Sequence, residues 1–507
     1  MPPVPRPASE SFRVALLDVG EEKYGDAVAC QLGEVRVLID GAHRSNLRGD
    51  GRHPPLVDQL RDFFGLKPRD AVRIDLLVVT HCHDDHIGCL PELVVQGVLA
   101  ADWTLASDPE RGWPGGTDVV DDEPARRLLL ALREEPLGPG TSTDDIERLF
   151  ADAANLRDRY EGMLQTLARS GKVIRFDGRP APLAPLLASL KAKGVDLAVL
   201  GPTARMLERC TEKLRERMQD LLGDVQDALA GDTDLAAAYQ AMSSPSQADA
   251  QDSGRAGNLI NLQSIVTSFA YQGQHLLFTG DMQLADAESR DEVLELGRSE
   301  LLGAIKSYVQ TRGKLAFAKL AHHGSPNGTD EEVLSSMGLP ALVGLCAGEE
   351  SKSHPAPETL QLLRRHQDAL ELVRTDRHGM VIIDLSSSLG RPSRGTSLVP
   401  VVRTTREKNL HDWRPPPGAM RDNVPRAGVA PAPPAPQLGP APFAPLPPPS
   451  VESVNVRPTP SGDAVVVTAY LPQSALPLSL TVRVERNAAA AIPEERPAVP
   501  DQEIRRR

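Results

Sequence analysis

Apolar residues along the first 90 positions come in short runs separated by polar loops: residues 12–19, 35–39 and 74–79 are each rich in Val, Leu and Ile. Runs of this length read as buried strands. The second and third end abruptly, in Asp40-Gly41 and Thr80-His81, and in a layered α/β fold the functional loops lie beyond the strand ends. From about residue 122 to 242 the pattern changes to long charged stretches with helical periodicity, such as 144–167 and 204–229, which predict amphipathic helices. Between them, 173–176 and 195–200 predict strands that return to the main sheet, so the helical insertion has two parts. Residues 243–257 are small and polar and read as a loop. Strands resume at 265–271, then a hairpin-like Gln272-Gly273-Gln274, then 275–278 running into Gly280-Asp281. Further strands are expected at 316–320, 341–346 and 380–384, and helices at 330–336 and 356–366.

This order of elements predicts an α/β domain over residues 1–410 with a helical insertion at about 122–256. A proline-rich linker follows over 411–450, where the composition favours extended polyproline II. Residues 451–507 hold two strand-like runs, 464–471 and 478–484, and form either a small β-unit or a disordered tail. With 507 residues, more than one unit is expected.

The net charge of −13 gives no global attraction to nucleic acid or to an anionic membrane, so a polyanion would have to be gripped locally or through metal ions. Five scattered cysteines without a C-x-x-C pair argue against a disulfide framework and fit a reducing cytoplasm. No long apolar run and no signal pattern is present, so a cytoplasmic protein without membrane spans is expected.

Chemistry concentrates in His81-Cys82-His83-Asp84-Asp85-His86, directly after the run 74–79. Residues two apart on an extended segment project to one side, so His81 and His83 can share a metal, while Asp85 and His86 fall in a tighter turn and can face a second. Such a density of imidazole and carboxylate behind a buried strand is costly to desolvate without a cation. Cys82 reads as packing.

The H-x-H-x-D-H pattern resembles the signature of the metallo-β-lactamase superfamily, and other segments match in order. The resemblance implies a four-layer αββα metallo-β-lactamase sandwich. It implies that Asp40, at a strand end, supports the ligands from behind, that Asp281 bridges two metals, and that His323 completes the second site with His322 as its neighbour. It therefore implies one or two divalent metal ions, zinc or manganese, held by His81, His83, Asp85, His86, Asp281 and a histidine of the His322-His323 pair. A third histidine usually completes the first site, yet no histidine lies between His86 and His275. Asn261 and Ser264 are the available substitute ligands, and oxygen donors would tilt preference towards manganese.

The segment from Phe12 to Gly20, then Gly25-Asp26-Ala27-Val28, Asn261-Leu262-Gln263-Ser264, His322-His323-Gly324-Ser325, Ser353-His354-Pro355, and Arg374-Thr375-Asp376 with Gly379 together resemble the nuclease-like domain of the ComEC family of competence DNA-uptake proteins. The resemblance runs from about residue 12 to 384, and the missing third histidine is typical of it. It implies a phosphodiesterase or nuclease that uses a metal-bound hydroxide, with Asp85, His354 and Lys352 in catalysis and a nucleic acid or other phosphodiester as partner. His354 would contact the scissile phosphate or protonate the leaving oxygen. Arg374 and Asp376 read as a structural pair. Two other functions use the same residues: hydrolysis of a small-molecule ester, lactone or amide, and a non-catalytic regulatory or interaction module. Self-association or protein binding through the insertion or the proline-rich tail is a further expectation.

Overall fold

Strands that are apolar on both faces need a covering layer on each side, and this requirement sets the architecture. The structure, a computed structural model, describes residues 11–20, 24–114, 122–134, 137, 141–230, 234–243, 256–286, 291–349, 351, 354–386 and 401–406, and the backbone of 453–458, 464–470 and 478–483. The first sheet takes β1 (Phe12–Leu16), β2 (Val28–Leu32), β3 (Val35–Ile39), β4 (Val72–Val79), β5 (Leu99–Ser107) and β6 (Lys172–Phe176). A second sheet takes β7 (Val195–Gly201), β8 (Val266–Tyr271), β9 (Gln274–Phe278), β10 (Phe317–Lys319), β11 (Leu342–Leu345) and β12 (Glu371–Arg374). The chain then rejoins the first sheet through β13 (Val381–Asp384) and β14 (Val401–Thr404). The strand orders are β14-β13-β1-β2-β3-β4-β5-β6 and β12-β11-β10-β9-β8-β7.

Alternation along each strand builds the sandwich. Phe12, Val14 and Leu16 of β1 and Leu76 and Val78 of β4 enter one core with Phe269, Phe278 and Phe317 of the other sheet. Their neighbours Ala15, Leu77 and Val79 turn the other way, into a core shared with Leu56, Leu60 and Phe63 of the helix Leu56–Phe64. Strands β3 to β6 run parallel, as do β9 to β12. Their carboxyl ends therefore gather at common edges, which is where a parallel sheet offers loops for chemistry. The turn Gln272-Gly273 has φ of 48° and 80° and joins β8 to β9 as a two-residue hairpin, with Gln274, which the sequence pattern places in the turn, as the first residue of β9.

The 122–256 stretch divides three ways. Strands β6 and β7 belong to the two sheets, and the helix Leu156–Ser170 packs on the first sheet through Leu156, Tyr160, Met163 and Leu164. The helices Glu123–Arg133, Thr143–Ala153 and Leu235–Ser243 have their own small core of Leu128, Ile146, Phe150 and Tyr239. The amphipathic stretch 144–167 is thus broken near Asn155 into two helices with different roles. The residues 244–255 of the expected loop lie outside the described residues, as does the proline-rich segment 411–450.

Two compact units are present, Met1–Val424 and Pro425–Arg507. The second contains an antiparallel sheet of β15 (Ser453–Pro458), β16 (Ala464–Tyr470) and β17 (Leu478–Arg483). Its first strand, interrupted by polar residues and ending in proline, had no clear apolar run to announce it. Among the described residues, no helix is long and apolar enough to cross a membrane.

Candidate metal centre

Each ligand-type residue of the site sits just past a strand end. Asp40 follows β3, His81 to His86 follow β4, Asp281 follows β9 and His322-His323 follow β10. Asp85, His86, Asp281 and His323 are buried, and their donor atoms all lie within 4.8 Å of one another. His86 Nε2 is 3.3 Å from Asp85 Oδ2 and 3.2 Å from Asp281 Oδ2; His323 Nε2 is 3.1 Å and 2.9 Å from the same two oxygens. Asp40, Ala42, His322 and His323 all have positive φ, between 52° and 58° for the first, third and second of these and 51° for His323. Left-handed backbone at non-glycine residues costs roughly 1–3 kcal/mol each and persists where the surroundings over-determine it.

The remaining ring nitrogens fix the tautomers. His86 Nδ1 donates to Asp40 Oδ2 at 2.8 Å, and His323 Nδ1 donates to the Cys346 carbonyl at 2.9 Å. Asp40 is itself held by the Thr80 N–H at 2.8 Å and the Thr80 hydroxyl at 2.7 Å. With Nδ1 as donor, each imidazole turns an Nε2 lone pair towards two carboxylate oxygens. Neither His86 Nε2 nor Asp281 Oδ2 has a hydrogen-bond donor of its own. Lone pairs converging in a buried space repel unless a cation sits among them. The carboxylates create a negative field that favours a positive charge at this point: although burial opposes it, Asp85, Asp281 and Asp40 raise His86 well above the usual imidazole range, and Asp281 and Asp26 do the same for His323, so without a metal a proton takes the place of the cation. Despite burial, the imidazoles His86 and His323 hold Asp85 well below the usual carboxylate range. Two nitrogens and two carboxylates at this spacing fit one divalent transition metal.

The His81 side differs. His81 Nε2 lies 3.0 Å from His83 Nδ1. Burial, together with His86 and His83, keeps His81 well below the ordinary imidazole pKa. Among the described residues, no third imidazole or carboxylate joins this pair in a compact donor group. The candidate substitutes have their own hydrogen-bond partners. Ser264 Oγ stands 3.2 Å from His81 Nδ1, on the opposite edge of the ring from His83, and accepts the Asp281 N–H at 3.1 Å. It orients His81 and Asp281. Asn261 Nδ2 lies 3.2 Å from His322 Nε2, and His322 Nδ1 lies 2.7 Å from Asn327 Oδ1. Both nitrogens of His322 are thereby used in hydrogen bonds to amides, which keeps His322 out of the four-donor group and leaves His323 in it.

Other expected residues take mixed places. His354 is half-buried at the rim, its ring centroid 6.0 Å from that of His323 and 5.7 Å from that of Tyr24. Lys352 lies outside the described residues. Arg374 and Asp376 form a buried two-pronged pair, Nε to Oδ1 at 2.9 Å and Nη2 to Oδ2 at 2.6 Å. Cys82 is fully buried, which pushes its thiol up to about 12. Sequence reasoning missed Lys319. Its buried ammonium pairs with Asp26, lies 3.5 Å from Asp281 Oδ1 and donates to the Gly280 carbonyl at 3.2 Å. A lysine inside the apolar run 316–320 was the available signal. Asp26, though buried, is kept low by Lys319 and His323.

A pocket opens beside Asp85. Tyr24 and His43 line it on the sheet side, and Asp145, Arg148, Leu149 and Asp152 of the helix Thr143–Ala153 line it on the other. The insertion therefore forms one wall of the space next to the centre.

No family model matches the chain, and no curated protein is similar to it. Among solved structures, it is similar to an archaeal metallo-β-lactamase superfamily protein from Sulfolobus tokodaii, at 14% identity and a TM-score of 0.22, covering 64% of this chain and 84% of that one. It is also similar to a protein of unknown function from Enterococcus faecalis, at 10% identity and a TM-score of 0.24, covering 71% of this chain and 58% of that one.

Proposed function

We propose that this chain is a metal-dependent hydrolase of the metallo-β-lactamase superfamily, acting on phosphodiesters. One observation carries it: Asp85, His86, Asp281 and His323, from three separate strand ends, aim their donor atoms at one buried point. These residues would hold the metal, with Asp40 and the Cys346 carbonyl orienting the two imidazoles from behind. When bound, a divalent ion supplies Lewis acidity and lowers the pKa of a water. Asp281 would hold the metal through the oxygen that faces His86 and His323, while its other oxygen lies 3.5 Å from the Lys319 ammonium. His354, whose ring centroid lies 6.0 Å from that of His323, would give the leaving oxygen its proton. The phosphodiester assignment follows the motifs shared with the ComEC-like domains.

The test is direct. Purified protein is loaded with zinc or manganese, its metal content is measured, and phosphodiester and carboxyl-ester chromogenic substrates are compared. Phosphodiester turnover that a chelator removes and added metal restores is the expected result. Absence of bound metal after loading would refute the proposal. The pocket favours a second reading, hydrolysis of a small ester, lactone or amide, because Asp84, Glu134, Asp145 and Asp152 line the space beside Asp85 and would repel a polyanion. Carboxyl-ester turnover without phosphodiester turnover would select it.

A further inference from the structure

We infer that Arg133 and Glu134, at the end of an insertion helix, position the metal-binding loop, so that the affinity of the centre for its ion depends on the insertion. This rests on the metal-centre reading above. The helix Glu123–Arg133 ends against residues 82–84. Arg133 Nη2 donates to the Cys82 carbonyl at 2.5 Å and Nε donates to the Gly112 carbonyl at 3.1 Å. Its guanidinium lies 3.9 Å from the centroid of the Trp113 ring and pairs with Glu134. Glu134 Oε2 accepts the Asp84 N–H at 2.9 Å. Both side chains are almost completely buried, Arg133 at 1% and Glu134 at 5% exposure.

The carbonyl just before His83 and the N–H just after it are therefore both tied to the insertion. That N–H begins the short helix Asp84–Ile87, whose N-cap residue His83 makes no side-chain cap. A helix start needs acceptors for its free N–H groups, and Glu134 supplies one from 50 residues away in sequence. On the other side, the Asp85 carbonyl accepts the Asp26 N–H at 3.1 Å, so the loop is held between insertion and sheet. Burying a charged pair carries a desolvation penalty. If the pair served only to close the insertion against the sheet, apolar side chains would do so at lower cost. Its donors and acceptors instead go to the loop backbone, which sets where His83 and Asp85 point.

The experiment is metal titration of the full chain with zinc and with manganese, in competition with a chromogenic chelator. Wild type, Glu134→Ala, Glu134→Gln and Phe150→Leu are compared at a temperature where circular dichroism shows each metal-free protein folded. Glu134→Ala is expected to weaken binding about 10- to 100-fold, the range in which outer hydrogen-bond partners of ligands act. Glu134→Gln keeps an acceptor for the Asp84 N–H and is expected to recover most of that loss. Phe150→Leu loosens the insertion's own core without touching the loop and is expected to bind as wild type does. If Glu134→Ala fails to fold, Arg133→Lys, which loses the planar fork that reaches two carbonyls, makes the same comparison. Wild-type affinity in Glu134→Ala, or in Arg133→Lys where that variant replaces it, overturns the inference, and so does an equal loss in Phe150→Leu, which would make the effect one of general stability. A wild-type chain that takes up no ion overturns the metal-centre reading and this inference together; bound metal with unaffected variants overturns the inference alone.

Discussion

Asp85 and His86 meet donors from two other strand ends, whereas His81 and His83, only a few positions earlier, meet each other. Both halves of the segment follow the same strand and are equally buried. What separates them is the company brought by β9 and β10, whose parallel pairing sets Asp281 and His323 side by side, next to Asp85 and His86. Local density of ligand-type residues makes a metal site possible, and distant strands complete it on one side only. Among the described residues, the His81–His83 half has no further imidazole or carboxylate in a compact donor group.

The largest expected effect comes from breaking the completed half. Asp281→Ala and His323→Ala should each lower metal-dependent hydrolysis on the order of 10³-fold, the scale of removing a principal charge-stabilising group, and should strip the metal. Metal analysis beside steady-state kinetics checks this, and full activity in either variant removes the basis of the contrast. Asp40→Ala should be milder, with metal affinity reduced about 10- to 100-fold, because it frees the His86 ring without deleting a donor. His81→Ala sharpens the contrast further: the four-donor centre should keep its ion, so a variant as metal-free as Asp281→Ala would show that the halves are not separable.

The smallest effect concerns the pocket wall. Burial and the neighbouring Asp84 raise Asp152 to about 6 from an ordinary carboxylate value of 3.8. A raised carboxyl means that the folded state holds its proton more tightly than the unfolded state does. Its contribution to stability is therefore present below about pH 4 and is lost as pH rises through about 6. Thermal melts between these limits should show a shallower decline in Asp152→Asn than in wild type; identical slopes would remove the carboxyl from the account.

Much of this was legible along the chain. The runs ending at Asp40, Thr80 and Phe278 are strands, and the turn at Gln272-Gly273 joins a hairpin, because period and turn chemistry are set by near neighbours. His322 shows the limit. It stands beside His323 in sequence, but the left-handed backbone of both residues sends one ring to Asn261 and Asn327 and the other to the carboxylates. The resemblance, through its H-G pairing, favours His323 as the ligand, but nothing in the pair itself tells where the His322 ring goes. Arg133-Glu134 gave no signal either, since a charged pair at a helix end is ordinarily solvated.

By itself the amino-acid order determined the types of donor, their spacing and the strands that end in them. Those properties follow from backbone periodicity and from the cost of burying imidazole and carboxylate together. Tertiary structure alone decided which donors share a point, that Lys319 takes the place behind Asp281, and that the insertion reaches the loop around His83. These depend on pairing register between strands tens to hundreds of residues apart, and convergence of that kind leaves no local trace.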